Sequence, residues 1–294
     1  INFYRKETTD LLLNRLAAQP SPQPFFFENI DATLINQGVE FDINVEWVQT
    51  EDVSFSSAFN IAYNDNELTE FDGVLNAGTI RGQGLSQAFA QRLAGGRPLF
   101  SYFLREFGGF DANGQPIGDV QDFVGEDALP DVNAGLSLNF RYKNWDVATY
   151  LTGQFGFSVY NNTANAFFTA GSIANARNVT ADVLTSGESG AAAAPVSTRF
   201  LEDGDFVRLQ NATIGYTVPL SGEGALKSLR LSVTGQNLFL ITDYSGLDPE
   251  ISVQPGASNG NPAGDLLNGL PSAGIDFTSF PRPRTVTFGL NATF

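Results

Sequence analysis

Tyr244, Asp248 and Glu250 fall in one short stretch, DYSGLDPE. A phenol beside two carboxylates can stack on a sugar or peptide and hydrogen-bond it. A little further on, FPRPR places Arg282 and Arg284 in an otherwise acidic chain. Guanidinium groups hold carboxylates in two-point contacts, whether on neighbouring loops or on an anionic ligand. Tyr244, Asp248, Glu250 and Arg282 are therefore the candidate contacts for a substrate or partner. The same residues also suit a loop that fixes its own fold, because Asp248-Pro249 initiates a turn. That reading is favoured, and for the arginines so is pairing within the chain. A third cluster, Asp111-Ala-Asn-Gly114 with Asp119 and Asp122 nearby, has the oxygen ligands calcium takes. Its spacing does not match an EF-hand loop, and an Asn-Gly turn explains it more simply.

These groups are contacts, not catalysts. The chain has no His and no Cys, which removes the commonest general base, the commonest transition-metal ligand, thiolate chemistry and disulfides. No enzyme activity and no cofactor are expected beyond calcium in the loops. Thirty-two acidic against sixteen basic residues give a net charge of −16, which argues against nucleic-acid partners, since phosphate binding needs basic patches. No window approaches the roughly 18 apolar residues of a membrane helix, yet 42% of residues are hydrophobic and 26 are Phe. If a membrane is crossed, strands cross it. The chain starts at Ile1 without a signal-peptide pattern, which fits a processed chain or a piece of a longer one.

Strands must position these groups. Gln37 to Val48 sets Val39, Phe41, Ile43, Val45 and Trp47 against Glu40, Asp42, Asn44 and Glu46, and Val53 to Tyr63 repeats the alternation after a QTED turn. A second hairpin runs from Leu136 through Tyr142, turns at Lys143-Asn144 and returns through Trp145 to Phe157. The third runs from about Phe200 to Pro219, turns through SGEGALKS and returns from Leu229 to Phe239, with Arg230, Thr234 and Gln236 on its polar side. A slip in alternation near Gln210-Asn211 predicts a bulge. Arg284 to Phe294 alternates to the last residue, with Phe288, Leu290 and Phe294 on one face. A C-terminal strand ending in Phe is how outer-membrane barrels commonly close, so these three are expected to carry the barrel-assembly signal.

Long Gly-, Asn- and Asp-rich stretches near 14–36, 65–131, 158–199 and 242–282 separate the hairpins. Short turns alternating with long loops are the pattern of an outer-membrane barrel, with short turns periplasmic and long loops extracellular. Counting back from the last strand, taken as running down to the periplasm, puts every short turn on one side. It gives about eight spanning strands, with Ile1 to Leu13 the first and Arg97 to Phe110 confined to a loop. Trp47, Tyr142, Trp145 and Tyr216 gather near the inner ends, Tyr63 and Phe157 near the outer, where amphipathic rings prefer to lie. Glu40, Asp42, Asn44, Glu46, Arg230, Thr234 and Gln236 are assigned to a wet lumen, because polar side chains facing lipid cost several kcal/mol each.

From Phe200 onward the text is specific: FLEDGDFVRLQNATIGYTVP, LRLSVTGQNLFLITDYSGLDPEIS and GIDFTSFPRPRTVTFGLNATF. It closely resembles the C-terminal end of SusC/RagA-type TonB-dependent transporters, and looser matches, such as NQGVEFDI and GRPLFSYF, extend over nearly the whole chain. The resemblance implies an all-β fold, a partial wall of a 22-stranded transmembrane antiparallel barrel, with plug and TonB-contact segment outside these residues. It also implies the activity and partners: import of glycan or peptide oligomers across a Gram-negative outer membrane, a SusD-like surface lipoprotein, TonB with its inner-membrane energising proteins, and the barrel-assembly machinery. The alternatives are a structural or adhesive barrel without transport, a siderophore or cobalamin receptor, and a soluble β-sandwich.

Overall fold

A computed structural model describes residues 1–16, 20–22, 25–80, 82, 85, 88–220, 224–251 and 272–294. The remaining positions of the loops near 14–36, 65–131 and 242–282, and of the SGEGALKS turn, lie outside the described residues.

The period-2 segments form one antiparallel sheet. Its strands are β1 (Asn2–Thr8), β2 (Thr33–Gln49), β3 (Val53–Thr69), β4 (Val132–Tyr142), β5 (Trp145–Phe155), β6 (Phe206–Thr217), β7 (Ser228–Gln236) and β8 (Thr285–Thr293), ordered as in the chain. Among the described residues β1 and β8 each pair on one side alone, so the sheet is an open wall with two free edges. Register carries the alternation across it. Phe55, Phe140, Val147, Ile214, Val233 and Phe288 form one continuous apolar row over six strands. One residue along, Ser56, Asn139, Ala148, Thr213, Thr234 and Thr287 form the matching row on the opposite face. The apolar face lies open, with Phe288 80% and Leu290 66% exposed. A patch of this extent marks a surface meant to meet lipid or protein.

Local chemistry sets the turns and bulges. Tyr142 pairs with Trp145 across Lys143-Asn144, and Lys143 takes the positive φ of 51° that such a tight hairpin requires. The bulge at Gln210 is present: Tyr150 pairs with Asn211 but Leu151 with Leu209. A second bulge sits at Trp47, between the Glu46–Ser56 and Val48–Phe55 pairs. Alternation hides this one, because Trp47 and Val48 are both apolar; the indole N–H instead donates to Ser57 Oγ at 2.8 Å. Trp145 and Tyr216 lie side by side at 4.7 Å between ring centres. Phe157 differs from expectation. β5 stops at Phe155, and Phe157 is buried among loop residues with Val159, Phe206 and Tyr244, so it is core and not an interface aromatic.

The hairpins also run further than their apolar alternation. Sequence alone ends the first pair near Gln37 and Tyr63, whereas the ladder continues to Thr33 opposite Thr69. Side chains hold this polar extension together: Gln37 Nε2 donates to Asp65 at 3.0 Å and Asn66 Nδ2 to Asn36 at 2.7 Å. At about 3.3 Å per residue, these 17-residue strands are far longer than a bilayer core. A further hairpin, Leu11–Leu16 with Phe25–Ile30, follows a break at Asp10, whose φ is 54°. On β7 the expected return to Phe239 instead ends at Gln236; Asn237 takes a positive φ, and Leu240–Thr242 pairs anew with the start of β6.

The long loops are not unstructured. They fold on one another around a core that includes Tyr102, Leu104, Tyr160, Val196, Phe200 and Ile275. Val74–Thr79 pairs with Phe89–Ala94, and Ser158–Asn161 is flanked by Leu201–Asp203 and Ile275–Asp276. The Tyr102 hydroxyl lies within 2.9 Å of the Ser158 carbonyl and 2.8 Å of Gly274's, tying three loops at one point. Arg97 to Phe110 belongs to this body and adds no strand to the wall, although Arg97 bridges Leu68 near the end of β3.

One loop carboxylate makes this body pH-sensitive. Burial, with lesser contributions from Asp131 and Glu126, raises the Asp127 carboxyl to about 6, although the Leu129 N–H opposes this. The folded loop therefore holds the proton more tightly than the unfolded chain, and stability falls as pH rises from the usual carboxylate range near 3.8 to about 6. Amide exchange at Leu129 and Ser158, corrected for intrinsic rates, should be slower at pH 5 than at pH 7. Asp127→Asn should shrink that difference; equal protection at both pH values in the parent protein would refute it.

Candidate functional site

The candidate residues converge where the loop body meets the wall. Arg208 points from the upper end of β6 onto the polar face and is fully buried. Its guanidinium pairs with Asp248, donates to Asn237 Oδ1 at 2.7 Å, and presents Nε to Glu250 at 3.5 Å. Glu250 in turn pairs with Arg282. Asp248 also accepts from the Glu250 N–H at 3.0 Å, which closes the turn at Pro249, and from the Arg282 N–H at 3.4 Å. Asn237 Nδ2 donates to the Arg282 carbonyl at 2.6 Å. Two arginines, two carboxylates and one amide thus join β6, the DYSGLDPE loop and the proline-flanked lead-in to β8.

Tyr244 faces a second knot. Its hydroxyl donates to Asp276 at 2.7 Å, and Asp276 also accepts from Ser279 Oγ at 2.6 Å. Burial first, then that carboxylate, holds the Tyr244 phenol far above its ordinary range, so it remains a donor throughout the physiological range. Beside it, Glu202 takes the Ser245 N–H at 2.7 Å and the Asn161 amide at 2.9 Å. Tyr244 and Asp248 are 5% and 6% exposed, and their polar atoms are occupied within the chain. Glu250 and Arg282 are more open but hold each other, while Arg284 stands exposed on the lead-in. What these groups do chemically is fix loops.

The seven residues assigned to the polar face occupy one side of the sheet. Glu40, Asp42, Asn44 and Glu46 lie exposed along β2. On β7, Thr234 shares a 2.8 Å hydrogen bond with Thr213. Arg230 reaches over β6 to Asp146, two strands away, its Nε 3.0 Å from Asp146 Oδ1. It crosses at Gly215, where a Cβ would stand 2.6 Å from both the guanidinium carbon and Asp146 Oδ1. Tyr4 crosses Gly38 in the same way, its hydroxyl donating to Asn64 at 2.6 Å. Missing side chains on this face let long polar ones brace strands that are not neighbours. Phe288, Leu290 and Phe294 lie on the opposite, apolar side of the edge strand.

Asp111 does not join Asp119 and Asp122. Its carboxylate closes its own turn by accepting from the Asn113 and Gln115 N–H groups, both at 2.8 Å, while Asp119 and Asp122 line an acidic groove with Glu106 and Glu126. Sequence reasoning missed Arg208, although an arginine beside a slip in alternation was a signal. It also missed the buried Arg199–Glu188 pair at 2.8 Å, for which the sequence offers no pattern.

No family model matches the chain. It is 29% identical over its whole length to TonB-dependent receptor P3 of Formosa agariphila, and 27% to TonB-dependent receptor SusC of Bacteroides thetaiotaomicron. It spans 32% and 30% of those relatives' lengths. Among solved structures, the RagAB peptide transporter superposes with a TM-score of 0.73 at 19% identity, covering 99% of this chain and 33% of that one. The same importer in its open-open state gives 0.72 at 18%, covering 99% and 32%. An eight-stranded wall with one apolar and one polar face, capped by a folded loop body, is the architecture the chain shares with them. Along its whole length, the chain is similar in sequence to about a third of TonB-dependent receptors P3 and SusC, and similar in fold to about a third of the RagAB chain.

Proposed function

We propose that this chain forms part of the barrel of a TonB-dependent importer that takes up glycan or peptide oligomers across the outer membrane, with no covalent chemistry. The observation that carries this reading is the uninterrupted apolar row from Phe55 to Phe288 backed by a polar face. Lipid fits the first and a wet lumen with a plug fits the second. The two free edges fit a larger barrel completed by further strands, since unpaired backbone in a bilayer is costly. Phe288, Leu290 and Phe294 would present the barrel-assembly machinery with the closing strand. The loop body would face outside, where a SusD-like lipoprotein would cover it, while TonB would act through a segment elsewhere in the protein. Similarity to SusC and to the RagAB peptide transporter supports both the activity and the pairing.

Uptake of labelled peptide and glycan oligomers by cells carrying the complete receptor should disappear when TonB is inactivated. Uptake that persists without TonB, or a receptor absent from the outer-membrane fraction, would sink the proposal.

A further inference from the structure

We propose that a cavity of about 430 Å³ in the loop body binds a short zwitterionic peptide, taking its terminal carboxylate on Arg199 and its terminal ammonium on Asp182. The inference names a substrate class for the importer proposed above and rests on that reading. Pockets of this size suit ligands of a few residues.

What the cavity leaves unoccupied selects the ligand. Most of its polar lining is already engaged: Glu202 holds Ser245 and Asn161, and Asp276 holds Tyr244 and Ser279. A neutral sugar, which is recognised through many free hydroxyl partners, finds few here. Two charges remain. The Arg199 side chain is 14% exposed and is fixed in place: one N–H group contacts the buried Glu188 at 2.8 Å, and the guanidinium lies 4.9 Å from the rings of both Phe110 and Phe200. Its other donors have no acceptor among the described residues. Asp182, in the short 3₁₀ turn Ala181–Leu184, lines the same cavity with no side-chain partner among the described residues. The two do not pair with each other, although both line the one cavity. A fixed guanidinium with spare donors and a free carboxylate, in a lining that also includes Phe168 and Leu247, match a molecule with a carboxylate at one end, an ammonium at the other and small apolar groups between. Arginine's planar fork suits the carboxylate.

The test is calorimetry on the complete, detergent-solubilised receptor with trialanine, N-acetyl-trialanine, trialaninamide and maltotriose. Trialanine should bind, and removing either terminal charge should weaken binding roughly tenfold or more, the usual worth of a charged hydrogen bond. Arg199→Gln should weaken trialanine to the level of trialaninamide without further weakening the amide. Because that change also disturbs Glu188, the exposed Asp182→Asn provides a variant that leaves the fold alone; it should bring trialanine to the level of its N-acetyl form. Equal binding of capped and free peptides, preference for maltotriose, or no heat with any probe would overturn the assignment. If TonB-dependent uptake of another nutrient persists while trialanine fails to bind, the peptide assignment falls and import stands.

Discussion

Replacing Arg208 with methionine should cost about 3–5 kcal/mol, the loss seen when one partner of a buried ion pair is removed and the other is left without compensation. Arg208 is fully buried, and its removal would strand Asp248, which is 6% exposed, beneath the DYSGLDPE loop. Asn237 and Glu250 would lose a partner as well. The complete receptor should then lose its heat-modifiable migration at a lower temperature, and protease should nick the chain around 244–251 well before the wall unfolds. A second variant separates charge from shape. Arg208→Met combined with Asp248→Leu should recover part of the loss, because no bare carboxylate is left buried, while the turn N–H groups that Asp248 accepts from stay without that partner. If the single variant is as stable and as resistant to protease as the parent, the pair does not hold the rim.

Phe288→Arg should cost about 2–4 kcal/mol in a bilayer, the penalty for arginine near the midplane of a barrel's lipid face. Phe288 stands in the middle of β8 on the apolar row and is 80% exposed. Thr287→Arg, one residue along the same strand, points to the polar face and should cost far less. Urea titrations of the complete receptor folded into liposomes compare the two. Similar losses for both would mean that the two faces do not meet different solvents. The contrast is sharp because a period of two leaves no intermediate orientation.

Much of this was legible in the chain, and the reason is geometric. A strand with lipid on one side and water on the other must alternate, so β2, β4, β6, β7 and β8 can largely be read from the sequence, including the slip on β6 that becomes the Gln210 bulge. Where alternation fails to discriminate, the sequence fell silent. The Trp47 bulge falls at two consecutive apolar residues, Trp47 and Val48, and the upper ends of β2 and β3 pair through Asn36, Gln37, Asp65 and Asn66, whose composition is that of a loop. Phe157 was misplaced because an aromatic residue beyond a strand end carries no mark of whether lipid or loop core receives it.

The motifs DYSGLDPE and FPRPR were visible as motifs, with Asp248-Pro249 legible as a turn. Their partner was not. Arg208 is 40 residues from Asp248, and no spacing rule links them; only pairing β6 with its neighbours brings the guanidinium under that loop. The same holds for Arg230 and Asp146, joined across Gly215, and for Arg199 and Asp182 at one cavity. The sequence by itself determined where the wall's apolar-alternating strands lie, which face most of their side chains take and where their short turns fall, because these depend on neighbours one and two positions away. The tertiary structure decided which charges meet, which loops share a core and where a ligand-sized space remains, because those depend on contacts between segments the chain keeps far apart.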